Sequence, residues 1–125
     1  MRSFLLLACL LALALPVTCA AQPVASATRT PAAEIDALVD RVAHADGVVF
    51  IRNSTEHTAA EAAAHLQRKR KAAGDKIRTP EQFIDKLGAR SSITGKPYRV
   101  RLPDGREMDS ATWLTGLLRE VRAKR

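Results

Sequence analysis

Apolar residues fall at helical spacing in three stretches of this chain and in strand-like runs in two. Ile35, Leu38, Val39 and Val42 sit at i, i+3, i+4 and i+7, one face of a helix. Thr30-Pro31 precedes them, and Thr caps free N–H groups while Pro suits the first helical position. Asp46-Gly47 stops that helix, and Val48-Val49-Phe50-Ile51 reads as a buried strand. Arg52-Asn53-Ser54-Thr55 reads as a turn. A second helix is predicted over about 56–73, alanine-rich at 59–64, cationic at 68–71 and closed by Gly74. Thr79-Pro80-Glu81-Gln82 starts a third helix with a reciprocal cap, and Phe83, Ile84 and Leu87 give it an apolar face. After a loop at 91–97, Tyr98-Arg99-Val100-Arg101-Leu102 alternates as a half-exposed strand. Pro103-Asp104-Gly105 turns it back into a partner at 106–108. Asp109 or Ser110 caps a last helix, with Trp113, Leu114, Leu117, Leu118 and Val121 facing inward. The predicted order is α-β-α-α-β-β-α: an α+β domain of about four helices and a small antiparallel sheet of three strands.

The amino-terminal pattern is different in kind. Arg2 supplies a charge, residues 4–15 form an unbroken apolar run, Pro16 breaks it, and Thr18, Cys19, Ala20 and Ala21 are small. That is the layout of a secretory signal peptide. The run would rise only about 18 Å as a helix, short of a hydrocarbon core of about 30 Å. The expected division is a signal peptide at 1–21, a flexible lead-in at 22–29 and a single domain at 30–125. Export then implies a protein outside the cytosol with no membrane span after cleavage. Cleavage would remove both cysteines, Cys9 and Cys19, so no disulfide, thiolate nucleophile or Cys-ligated zinc is expected.

Composition narrows the function classes. With 125 residues the chain is one domain, too short for a repeat solenoid. Twenty Lys and Arg against 13 Asp and Glu leave a formal charge of +7, which suggests an acidic partner. Nucleic acid fits poorly: aromatic residues are only 4% of the chain, most look like core, and the charge is scattered. Anionic envelope surfaces, lipid headgroups, an acidic envelope protein or a small anion fit at least as well, and a basic surface that only keeps the chain soluble is the foremost reading.

Three constellations bear on chemistry. His57, Glu61 and His65 are spaced i, i+4, i+8 on the predicted second helix. Eight residues rise about 12 Å, so the three cannot share one ion, and no metal or cofactor is expected. Ser91-Ser92-Ile93-Thr94-Gly95-Lys96 resembles the end of a phosphate loop. It has Arg90 where that loop needs Gly and Pro97 where it needs Ser or Thr, so nucleotide hydrolysis is excluded. A hydroxyl-rich turn that satisfies its own backbone is the favoured reading, with a backbone anion cradle behind it. A hydrolase would require His65 within reach of Ser91 or Ser92, and no G-x-S-x-G elbow accompanies them.

Several segments together resemble the YfeK-like family of small exported proteobacterial proteins, a domain of unknown function. They are Phe50-Ile51-Arg52-Asn53, His65-Leu66 with Lys69, the run from Ile77 through Thr79 to Glu81-Gln82-Phe83-Ile84-Asp85-Lys86, and Ser91-Ser92-Ile93-Thr94-Gly95-Lys96-Pro97-Tyr98. The resemblance covers about 34–102. Family members often carry Gly where this chain has Ser54. The resemblance implies a periplasmic protein with no catalytic residue to transfer. It singles out Arg52, Asn53, His65, Lys69, Ser91, Ser92, Lys96 and Tyr98 as a candidate binding surface. Asn53 is expected to cap the second helix, the serines to end the third, and Arg52 to reach carbonyls of the 91–95 loop. The leading expectation is a non-enzymatic binding domain. The alternatives are a small envelope hydrolase using His65 with Ser91 or Ser92, and a polyanion-binding basic protein.

Overall fold

The computed structural model describes residues 28–124. The signal peptide expected at 1–21 and most of the lead-in lie outside the described residues. Arg29, at the end of that lead-in, donates to Val121 O at 2.6 Å, capping carbonyls at the end of the last helix.

Helix α1 spans Pro31–Ala43, with Thr30 accepting from Ala33 N at 3.2 Å and Ile35, Leu38, Val39 and Val42 all buried. Strands β1 (Val49–Arg52) and β2 (Thr55–His57) form a hairpin before helix α2 (Ala59–Ala73). A 3-10 turn at Gly74–Lys76 leads to α3 (Pro80–Phe83), which continues as a π-helical turn over Ile84–Gly88. Strands β3 (Arg99–Arg101) and β4 (Glu107–Asp109) precede α4 (Ser110–Ala123). The sheet runs β2-β1-β3-β4, antiparallel throughout.

The α+β class stands, but the sheet has four strands rather than three. The additional strand is Thr55–His57, part of which the sequence pattern assigned to the start of the second helix. Its three polar residues carry no strand signature. Thr58, not Asn53, caps α2: its Oγ1 accepts from Glu61 N at 3.2 Å, and Glu61 Oε2 accepts from Thr58 N at 2.8 Å. Asn53 and Ser54 instead make a two-residue hairpin turn with φ of 50° and 65°. Both central positions of such a turn need positive φ, which explains why a Gly suits position 54 in the resembling family. At α3, Gln82 N donates to Thr79 Oγ1 at 3.1 Å, but Gln82 Oε1 accepts from Arg78 N, one residue before the expected partner.

Register decides what each strand presents. Phe50 pairs with His57 and Val100, and Val100 with Met108, so these share the face turned to the helices. Arg52, two residues after Phe50, falls on that same face at the hairpin end. The opposite face carries Glu56, Arg99, Arg101, Glu107 and Asp109. There Arg101 bonds Glu56 at 2.6 Å and Glu107 at 3.1 Å, and Arg99 bonds Asp109 at 2.8 Å. Asp109 therefore spends its carboxylate across the sheet rather than capping α4.

Between sheet and helices lies one core, with Phe83, Leu38, Val42 and Val100 completely buried. Trp113 meets Phe50 edge-on at 5.2 Å. Gly88 lets the π turn lie directly on α4, since a Cβ there would stand 2.5 Å from Leu114 Cδ1. Arg122 on α4 holds buried Glu34 of α1 at 2.9 Å and Glu81 of α3 at 2.7 Å, tying three helices at the domain's far end.

Candidate functional site

Asn53, His65, Lys69, Ser91 and Tyr98 arrive from three separate parts of the chain and meet. Asn53 Oδ1 accepts from Thr94 Oγ1 at 2.9 Å, joining the hairpin turn to the 91–98 loop. Thus Asn53, not Arg52, makes the bridge to that loop. Lys69, one turn beyond His65 on α2, donates from Nζ to Leu87 O at 2.9 Å and Arg90 O at 3.3 Å. Its Nζ lies 3.4 Å from Tyr98 Oη, and Tyr98 Oη lies 3.5 Å from His65 Nε2.

Lys69 solves a local problem. The π-helical turn leaves carbonyls at its end without partners inside the helix. Lys69 reaches across from α2 and supplies the donors, so it acts as a tertiary cap. Burial, and secondarily Arg52, hold its ammonium below the usual lysine range.

Ser91 is 5% exposed and does not end the third helix. Its Oγ accepts from Ile93 N at 3.3 Å and Thr94 N at 3.2 Å, while its carbonyl accepts from Gly95 N at 3.0 Å. Thr94 Oγ1 accepts from Lys96 N at 3.3 Å, and Ser91 N donates to Lys96 O at 3.0 Å. The turn satisfies its own backbone, as expected, and these N–H groups are engaged rather than open to an anion. Ser92 and Lys96 stand exposed on the outside of the loop, apart from the His65–Tyr98 contact.

Between β1, α2 and Tyr98 is a slot of about 30 Å³, lined chiefly by Phe50, Leu66 and Leu114, with Arg52, His57, His65 and Arg99 also on its walls. That is room for a water or two, whereas small-molecule pockets enclose roughly 300–1,000 Å³. Burial first, and then the charges of Arg52, Lys69 and Arg68, push the His65 imidazole down to about 4. His65 is therefore neutral at pH 7. Because its folded value lies below the ordinary 6.5, it supports the fold fully above that pH, and the support is lost as pH falls towards 4. Half-exposure screens the effect, leaving on the order of 1 kcal/mol. Burial raises the Tyr98 hydroxyl, with Arg52 and the Ser91 hydroxyl pulling the other way.

Arg52 is the residue whose surroundings stand out. Six described arginines are half-buried: Arg29, Arg41, Arg52, Arg70, Arg101 and Arg122. Arg41 pairs with Glu120, Arg70 with Asp36, Arg101 with Glu56 and Glu107, and Arg122 with Glu34 and Glu81. Arg29 donates to carbonyls. Among the described residues, Arg52 alone of the six has no acceptor.

The triad of His57, Glu61 and His65 does not lie on one helix. His57 belongs to β2 and stands 3.9 Å from Glu61, and among the described residues no group of three such ligands could hold a metal. His65 bonds Tyr98 and makes no hydrogen bond to Ser91 or Ser92. Sequence reasoning missed Thr94, which bridges to Asn53, and His57 on the slot wall. The Thr58-x-x-Glu61 capping box could have revealed the shorter helix and with it the displaced His57.

Fold and site together define a small α+β domain with helices on one face of a four-stranded antiparallel sheet and a cation-flanked slot at the hairpin end. The chain belongs to the family of unknown function (DUF5329), whose model matches residues 29–122. It is 44% identical over 66 residues to the uncharacterised protein YfeK of Salmonella typhimurium, covering 53% of this chain and 55% of that protein. The matched stretch thus spans about half the length of that relative. No solved structure matches the chain.

Proposed function

We propose that this is an exported, periplasmic binding domain that receives an acidic group of a partner protein at Arg52. The observation that carries the reading is half-buried Arg52, which makes none of the hydrogen bonds or ion pairs its five counterparts make and whose charge reaches the Glu61 carboxylate only at longer range. A guanidinium placed this way favours a carboxylate or phosphate oxygen, which it can grip with two parallel N–H donors. The slot is too small to enclose a metabolite, so the acidic group is one presented by a larger partner. Neutral His65 and the Tyr98 hydroxyl stand beside it as hydrogen-bonding groups.

Binding is favoured over hydrolysis because Ser91 Oγ is committed to two backbone N–H groups and His65 is a weak base near 4. The apolar run at 4–15 and the small residues after it support export.

The test is an NMR titration of the protein with a short Asp/Glu-rich peptide and, in a parallel arm, inorganic phosphate. Shifts should centre on Arg52, His65 and Tyr98, with the peptide binding more tightly than phosphate. Arg52→Ala should weaken peptide binding about tenfold or more, the scale of a lost charge-assisted hydrogen bond. Shift changes scattered over the other cations, or an Arg52→Ala variant that binds equally well, would count against the reading.

A further inference from the structure

Ile93 is the one large hydrophobic side chain that stands exposed among the described residues, at 96%. It is not exposed by looseness. Ser91 Oγ holds the N–H groups of Ile93 and Thr94, Gly95 N closes onto Ser91 O, and Thr94 is pinned to Asn53. Four hydrogen bonds hold the loop that presents this isoleucine to solvent. Water offers nothing to stabilise that arrangement.

The cations around it share a second property. Lys96 follows in the same loop, and Arg90 bridges to Pro97 at the loop's base. Ser92 shares an open groove of about 360 Å³ with Lys69, Lys76, Lys86 and Leu87. Among the described residues, Lys76, Lys86, Arg90 and Lys96 make no ion pair, in common with Arg68, Lys71, Arg78 and Arg119, whereas Arg41, Arg70, Arg99, Arg101 and Arg122 are paired with carboxylates. Lys76 and Lys86 share the groove with Ser92, the residue before Ile93, and Lys96 lies three residues after it, so unpaired cations flank the exposed isoleucine on both sides in the chain.

We propose that the 91–98 loop is a membrane-docking tip: Ile93 inserts among acyl chains at an anionic lipid surface while Lys76, Lys86, Arg90 and Lys96 engage the lipid phosphates. Two features favour a lipid surface over a protein. A stable protein interface buries about 800 Å² on each partner around aromatic or aliphatic anchors, and a single isoleucine with no exposed apolar neighbour cannot supply one. Lysine is depleted at protein interfaces, whereas an anionic leaflet attracts each nearby lysine or arginine. One apolar side chain with a basic collar gives reversible, salt-sensitive docking rather than permanent anchorage. The inference rests on residues other than Arg52 and stands or falls apart from the acidic-partner reading.

The experiment is flotation of the full chain with vesicles of phosphatidylglycerol and phosphatidylcholine, against phosphatidylcholine alone, comparing wild type with Ile93→Ser and with Lys86→Ala plus Lys96→Ala. Residues 1–27 are common to all three chains, and each chain is also floated without residues 1–21, so that the apolar run at 4–15 does not mask the effect of the loop. Ile93→Ser should lower partition onto the anionic vesicles about tenfold, and the double lysine variant by about tenfold or more. Both variants should melt with the wild type, because these side chains are exposed. Equal partition of Ile93→Ser and wild type, equal binding to neutral vesicles, or a photocrosslinker at position 93 that captures protein rather than lipid would overturn the proposal.

Discussion

Phe83→Ala is expected to destabilise the domain by about 3–5 kcal/mol, the largest effect of any substitution considered for this fold. Phe83 is 0% exposed and closes α3 where it meets α1 and the π turn, which in turn packs on α4. Its ring cannot be replaced by collapse from one side, because Gly88 already brings the π turn against Leu114 with no slack. Single domains of this size have only about 5–15 kcal/mol in total. Thermal unfolding followed by circular dichroism should therefore shift down by at least about 12 °C. A shift under about 4 °C would mean that the α3 end is not part of the cooperative core.

Lys69→Met should cost about 2 kcal/mol, even though it replaces a cation with an apolar chain of similar length. The methionine keeps the packing of the lysine stem. It removes the donors to Leu87 O and Arg90 O, leaving carbonyls at the end of the π turn without their partner. Hydrogen exchange should accelerate in the 91–98 loop, which this clamp holds against α2. Removal of the nearby charge should also raise the His65 pKa, a change that a simple packing defect elsewhere would not produce. Stability equal to wild type would show that water replaces the ammonium without loss and that Lys69 is not a cap.

These two residues mark the boundary of what was legible in the sequence. Phe83 followed a Thr-Pro start at helical spacing with Ile84 and Leu87, so its core position could be read from local pattern alone. The same holds for the inward faces of α1 and α4. Lys69 could be singled out only as a polar residue within a matching block, because its partners lie 18 and 21 positions away and are backbone carbonyls. Nothing in a carbonyl's sequence marks it as lacking a partner. Strand β2 was lost for a different reason: three polar residues paired only through their backbone look like a helix cap. Losing it also put His57 on the wrong element. The state of Arg52 is a property of what is absent around it, and only three-dimensional placement of the other arginines makes it visible.

The candidate surface divides accordingly. His65, Lys69, Ser91 and Tyr98 converge with Asn53 as a brace, and most of their hydrogen bonds serve the fold. Arg52 is left over at the slot, and Ser92 and Lys96 are left over on the outside of the loop beside Ile93. The proposed binding role therefore rests on fewer residues than the eight the sequence singled out.

The most direct measurement of this arrangement is an NMR titration of the His65 imidazole in the folded protein. If α2, the hairpin end and Tyr98 enclose it beside Arg52 and Lys69, it titrates near pH 4, well below an ordinary histidine. A midpoint near 6.5 would mean that the three segments do not converge and that the slot beside Arg52 does not exist.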